Sequence, residues 1–167
     1  MTDYRIRNVT PADLDAVTAV EAACFPPAEA AGREAFAYRI AAFPERFFVA
    51  EANGQTIGLI NGCASHLSAI EDALFEPQGH EPEGKHQMIF GLAVLPTYQR
   101  QGIAAALMER LIQFARERGM EQVILTCKQE KLAYYSKFGF QNRGVSNSTH
   151  GGAVWYDMVL EMQNAEC

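Results

Sequence analysis

The chain has 167 residues, 49% of them hydrophobic and 20% charged, and carries a net charge of −6. Its length predicts a single domain over residues 1–167, able to bury roughly two thirds of its unfolded surface. The acidic balance, the lack of a basic stripe and the lack of any apolar run near the roughly 20 residues of a membrane span exclude nucleic acid and membrane as expected partners.

The start, MTDYRIRNVT, has no apolar signal core. Cys24, Cys63, Cys127 and Cys167 are widely spaced with no CxxC pair, which points to reduced thiols and a cytoplasmic location. Cys63 and His66 have ligand-like spacing, but the second pair a zinc site needs is missing, so no metal is expected.

Tyr4 to Val9 reads as an edge strand. Thr10 caps a helix with Pro11 at its first position and Asp13 at its third, and Phe25-Pro26-Pro27 must break it, because proline cannot continue a helix and restricts its predecessor. A second helix is predicted over about Gly32 to Ala42. Phe47 to Glu51 and Thr56 to Ser65 read as two strands joined at Asn53-Gly54, a dipeptide suited to the positive φ of a tight turn. His66 to Lys85 is poorly patterned, with a short helix around Ala69 to Phe75, and long segments of this kind often cover a binding site.

Met88 to Leu95 is a nearly continuous apolar run of strand length. A long amphipathic helix follows, stopped by Gly119. QVILTC is a further buried strand, Lys131 to Phe138 a short helix, and Gln141 to Val145 pairs with Ala153 to Met162 across Gly151-Gly152. This order predicts an α/β fold with a mixed sheet and a parallel pair in its middle.

The entry to the long helix, Gln99-Arg100-Gln101-Gly102-Ile103-Ala104, has no acidic residue in its first turn and almost no side chain at Gly102 and Ala104. A helix start exposes unpaired N–H groups and partial positive charge, so a large phosphate-bearing ligand can approach several amides there. Neither GxxxxGK[ST] nor a GxGxxG after a strand occurs, which argues against a P-loop kinase or a dinucleotide dehydrogenase.

Gln99-x-x-Gly102-x-Ala104, after GLAVLP and before a long helix, resembles the pyrophosphate loop of the GNAT superfamily of acyl-CoA N-acetyltransferases. LTCKQEKLAYYSKFGF is similar to that family's next strand and helix, with a tyrosine shortly before an F-G-F turn. Within the superfamily the pattern resembles the arylalkylamine, or serotonin, N-acetyltransferases: Leu92-Ala93-Val94, Arg100-Gln101-Gly102, Cys127 and Tyr134 to Phe140 are the counterparts.

The resemblance implies a GNAT-like, mostly antiparallel sheet of about seven strands with a central splayed parallel pair, flanked by helices. It also implies acetyl-CoA as co-substrate, held between the Met88 to Leu95 strand and the strand ending at Cys127. Backbone of Leu92, Ala93 and Val94 would pair with the pantetheine amides, and amides of Arg100, Gln101, Gly102, Ile103, Ala104 and Ala105 would hold the pyrophosphate. The amine attacks the thioester directly and Tyr135 protonates the departing sulfur; Cys127 lines the cleft and is not a nucleophile.

The chain departs from the resemblance at the base, because Met88 and Phe90 stand where the arylalkylamine enzymes carry two histidines. His86 shares a strand face with those two positions and is a candidate base, with Glu21, Glu29 or a bare water chain as alternatives. Phe25, Pro26, Met88 and Phe90 would form an apolar pocket for a small hydrophobic or arylalkyl amine. The rival readings are a protein N-terminal or lysine acetyltransferase and a catalytically silent acyl-CoA-binding module. A monomer or homodimer is expected.

Overall fold

Asn53 and Gly54, with φ of 53° and 75°, turn the chain between two strands, as their sequence predicts. In the computed structural model, residues 2–148 and 150–162 are described, so Cys167 lies outside the described residues. The strands are β1 (Arg5–Asn8), β2 (Phe47–Ala52), β3 (Gln55–Asn61), β4 (Ala64–Ser65), β5 (His86–Met88), β6 (Gly91–Val94), β7 (Gln122–Cys127), β8 (Gln141–Val145) and β9 (Tyr156–Glu161). The α-helices are α1 (Leu14–Cys24), α2 (Arg33–Ala42), α3 (Ile103–Glu117) and α4 (Leu132–Ser136).

The chain divides into two compact units. One contains the residues up to Asn61 and Gly91–Gln113, with an antiparallel sheet in the order β1-β2-β3-β6. Its core joins Val17 and Val20 of α1 and Phe36 and Ile40 of α2 to Phe47, Val49, Leu59 and Ala93 of the sheet. Phe36 and Phe47 meet with ring centroids 5.8 Å apart.

Thr10 does not open α1 directly. It precedes a 3-10 turn, Pro11–Asp13, and the Asp13 carboxylate accepts the Thr10 N–H at 2.8 Å. Asp13 also accepts two hydrogen bonds from the Arg7 guanidinium, at 2.8 and 2.9 Å, which tie β1 to this turn. The Arg7 hydrogen bonds hold the Asp13 carboxyl below its ordinary value near 3.8. A depressed carboxylate stabilises the fold fully above its unfolded value, and that contribution is lost as pH falls through the lower, folded value. Asp13→Asn is therefore expected to cost on the order of 2 kcal/mol at pH 7 and progressively less as pH falls below about 3.8, read by urea unfolding across that range.

The second unit contains Gly62–Phe90 and the chain from Phe114 onward, with the sheet order β4-β5-β7-β9-β8. β5 and β7 run parallel in register His86↔Gln122 to Met88↔Ile124, extended by the Ile89 N–H to the Ile124 carbonyl at 2.8 Å. All other pairings in this sheet are antiparallel.

Two predicted strands are each broken in two, which makes nine strands among the described residues where about seven were expected. Thr56 to Ser65 becomes β3 and β4, and Met88 to Leu95 becomes β5 and β6. The buried Gln87 amide explains the breaks: its Nε2 donates to the carbonyls of Gly62 and Met88, at 2.9 and 2.7 Å, which an unbroken ladder would have paired. At Gly62 the backbones come so close that a Cβ would stand 1.8 Å from the Met88 carbonyl oxygen. Gly62→Ala is expected to cost on the order of 3 kcal/mol or more, seen as a lowered Tm, because backbone must move to admit the methyl group.

The 66–85 segment forms 3-10 turns at Asp72–Phe75 and Pro77–Gly79 in place of the predicted helix. The short helix after QVILTC is likewise reduced to α4, preceded by a 3-10 turn over Gln129–Lys131.

Candidate active site

In the first unit β6 is the edge of its sheet, paired on one side with β3 from Gly58↔Val94 to Asn61↔Gly91. An edge strand presents a row of N–H and C=O groups on its other side. Leu92 is half-buried, and Ala93 and Val94 are buried. The Gln99 side chain donates to the Val94 carbonyl at 2.8 Å and so ties the following loop to the strand end.

The loop then turns through two left-handed residues, Arg100 at φ 66° and Gly102 at φ 84°. A non-glycine residue in that region costs energy and is commonest at functional sites. Apart from its chain neighbours, no atom lies within 4 Å of where a Cβ on Gly102 would stand. α3 begins at once, 15 residues long and with no acidic residue in its first turn. Ile103 anchors it in the core, Ala104 and Ala105 are half-exposed, and the Gln101 side chain accepts the Thr2 N–H at 2.9 Å.

On the same unit Phe25 packs against the core and Pro26 is exposed. Ala31 donates its N–H to the Glu21 carboxylate at 3.0 Å. Glu21 is 5% exposed, and its other oxygen lies 3.5 Å from the Cβ position of Gly91, the first residue of β6. A glycine there leaves room for a carboxylate against the start of the edge strand.

In the second unit β7 ends at Cys127, next to the α4 tyrosines. The Tyr135 ring packs edge-on against Tyr134 and Phe140, with centroids 5.2 and 6.2 Å away. Burial, then Cys127 and Tyr134, push the Tyr135 phenol well above its ordinary value near 10. Such a phenol keeps its proton throughout the neutral and mildly alkaline range, as a general acid must. The Cys127 thiol is pushed up to about 11 by burial and by the Glu130 carboxylate, so almost none of it is the reactive thiolate at neutral pH.

The structure brings Cys127, Tyr134 and Tyr135 together but leaves His86 apart from them. His86 is level with Gln122, five residues before Cys127 on β7, or about 16 Å at the rise of an extended strand. Its Nδ1 meets the Leu67 carbonyl at 2.6 Å and its Nε2 lies 3.8 Å from the Glu121 carboxylate. Met88 is fully buried, and Phe90 packs on Phe75 with centroids 4.9 Å apart.

A groove of about 430 Å³, which the sequence did not single out, opens beside the end of β7. Lys128, Gln129, Glu130, Ala153, Val154 and Tyr156 line it. The only local signal was the polar run Lys128-Gln129-Glu130 directly after a buried strand. Among the described residues no group of His, Cys, Asp or Glu is placed to hold a metal ion, and no helix is long and apolar enough to cross a membrane.

An edge strand feeding a long helix with no acidic residue in its first turn, in a mixed α/β fold, leaves unpaired N–H groups of the kind that can face a phosphate-bearing ligand. The chain belongs to the acetyltransferase (GNAT) family, which residues 14–140 match. It is 33% identical over 102 residues to mouse (Mus musculus) probable N-acetyltransferase family 8 member 5, covering 59% of this chain and 39% of that protein. The chain thus spans about two fifths of the length of that relative.

Among solved structures it is similar to the loading GNATL domain of CurA from Lyngbya majuscula, with a TM-score of 0.85, 16% identity, and 96% and 98% of the two chains covered. It is also similar to the GphF GNAT-like decarboxylase in complex with isobutyryl-CoA, with a TM-score of 0.82, 22% identity, and 95% and 100% covered. At these identities the two likenesses establish a GNAT fold.

Proposed function

We propose that the protein is an acetyl-CoA-dependent N-acetyltransferase that acetylates a primary amine by direct attack. The observation that carries this reading is the start of α3, bare of acidic residues and open at Gly102, directly after the edge strand β6. GphF, of the same fold, binds an acyl-CoA, which supports an acyl-CoA ligand here.

The residues present fit the coenzyme. Amides from Arg100 to Ala105 would hold its diphosphate, and the outward-facing main-chain groups of Leu92 and the Val94 N–H would pair with its pantetheine amides, Ala93 turning its own groups to β3. When bound, acetyl-CoA supplies an acetyl thioester open to attack by an amine. Tyr135 would hold the phenolic proton that the sulfur takes when the C–S bond breaks, after the amine has formed its C–N bond at the carbonyl.

The amine nitrogen must shed a proton, and the buried Glu21 carboxylate against Gly91 is the acceptor this reading assigns. His86, at the far end of β5 from the Tyr135 end of β7, is given no part in the step. Glu21→Gln is expected to lower kcat about 100-fold, measured at saturating acetyl-CoA and amine.

The acceptor is proposed to be small. An amine panel with acetyl-CoA, followed by release of free thiol, tests the whole reading against peptides offered at their N-termini and lysines. Turnover of small amines supports it; turnover of peptides alone would reassign the substrate, and coenzyme binding without thiol release from any amine would reject catalysis. Arylalkylamines belong in that panel, since Phe90 and Phe75 offer an aromatic surface on the second unit.

A further inference from the structure

The groove beside the end of β7 has one wall from the residues that follow β7, Lys128 to Glu130, and the other from Ala153 and Val154, which precede β9, and Tyr156, its first residue. It adjoins the Tyr135 end of the sheet, because Tyr156 stands directly opposite Cys127 in the β7–β9 register. Its two charged residues differ in their surroundings. The Lys128 ammonium lies 5.7 Å over the Trp155 ring, a cation–π position. Glu130 is exposed and makes no hydrogen bond or ion pair among the described residues, yet its charge reaches Cys127. The groove thus holds a carboxylate within electrostatic range of the Cys127–Tyr135 end, on a chain whose net charge of −6 already favours cations. Val154, 62% exposed, adds an apolar surface beside it.

We propose that this groove is the binding site for the far end of the acceptor, and that Glu130 selects acceptors carrying a second, non-reacting ammonium group, joined by an aliphatic chain to the amine that is acetylated. The inference rests on the N-acetyltransferase reading above and adds the substrate class to it. A volume of about 430 Å³ is within the usual range for small-ligand sites and admits such a chain. Val154 covers its methylenes and Glu130 meets its terminal charge. Glu130 is a specificity residue here and handles no reacting proton.

The test compares three acceptors of matched length under acetyl-CoA: pentylamine, 1,5-diaminopentane and 5-aminopentanoate. The expected wild-type order of kcat/KM is diamine, then pentylamine, then the amino acid, with about fivefold between the first two, the upper end of what a solvent-facing ion pair supplies. Glu130→Gln removes the advantage of the diamine through a rise in its KM, Glu130→Lys reverses the order, and Glu130→Asp restores part of it. Equal use of diamine and pentylamine by the wild type, or a preference for the anionic acceptor, overturns this inference and leaves the acetyltransferase reading standing. Acetyl-CoA binding with no acetylation of any of the three overturns the inference together with a small-amine function.

Discussion

Tyr135→Phe lowers kcat by about 100-fold or more while leaving the Kd for acetyl-CoA within about twofold of wild type. A positioned general acid is worth roughly 10² to 10⁴ in rate, and the substitution removes only the phenolic oxygen. The ring contacts with Tyr134 and Phe140 survive in phenylalanine, so packing is conserved and the loss falls on the chemical step. The pH profile gives a second readout with a defined sign. Burial raises the Tyr135 phenol above 10, so its protonated, active form persists past the value at which an ordinary phenol would ionise. Wild-type kcat is therefore expected to show no alkaline fall centred near pH 10. A fall there, or full turnover by the phenylalanine variant, would remove Tyr135 from the reaction.

Gly102→Val weakens acetyl-CoA binding by at least tenfold, measured by calorimetry, with a smaller effect on kcat at saturation. Two causes add. The position sits at φ 84°, which a β-branched side chain adopts only at a cost of about 1–3 kcal/mol, so the loop leaves the shape that gathers its amides. The side chain would also fill the open space at the Cβ position through which the proposed diphosphate would reach the α3 amides. Beyond its chain neighbours no atom lies within 4 Å of that point, so the strain is confined to the loop backbone, and the loss of coenzyme affinity is read under conditions where the variant remains folded. Gly102→Ala, with a smaller group in the same space, should fall between the two.

The α3 start was legible because everything that makes it is local: a glycine at positive φ, small residues behind it and no acid in the first turn. The Asn53-Gly54 turn and the QVILTC strand were legible for the same reason. The breaks between β3 and β4 and between β5 and β6 were not. They depend on a Gln87 side chain that reaches Gly62, 25 residues away, and sequence alone assigns an apolar run to one strand until such a partner is known. His86 misled for a related reason. Its period-two relation to Met88 was right, but the register His86↔Gln122 that separates it from Cys127 is a long-range fact. The groove is long-range too, since it joins Lys128–Glu130 to residues more than 20 positions later through the β7–β9 pairing. Glu21 was within reach of sequence only as one acid among several, until its burial against Gly91 set it apart.

The most direct test of the central claim is an acetyl-CoA titration of the ¹⁵N-labelled protein, followed at the backbone amides of Gly102 to Ala105. The account predicts that these resonances shift progressively and saturate with the coenzyme, and that 3′-dephospho-acetyl-CoA, which keeps the diphosphate, shifts them as well. Saturable binding with those four amides unmoved would contradict it.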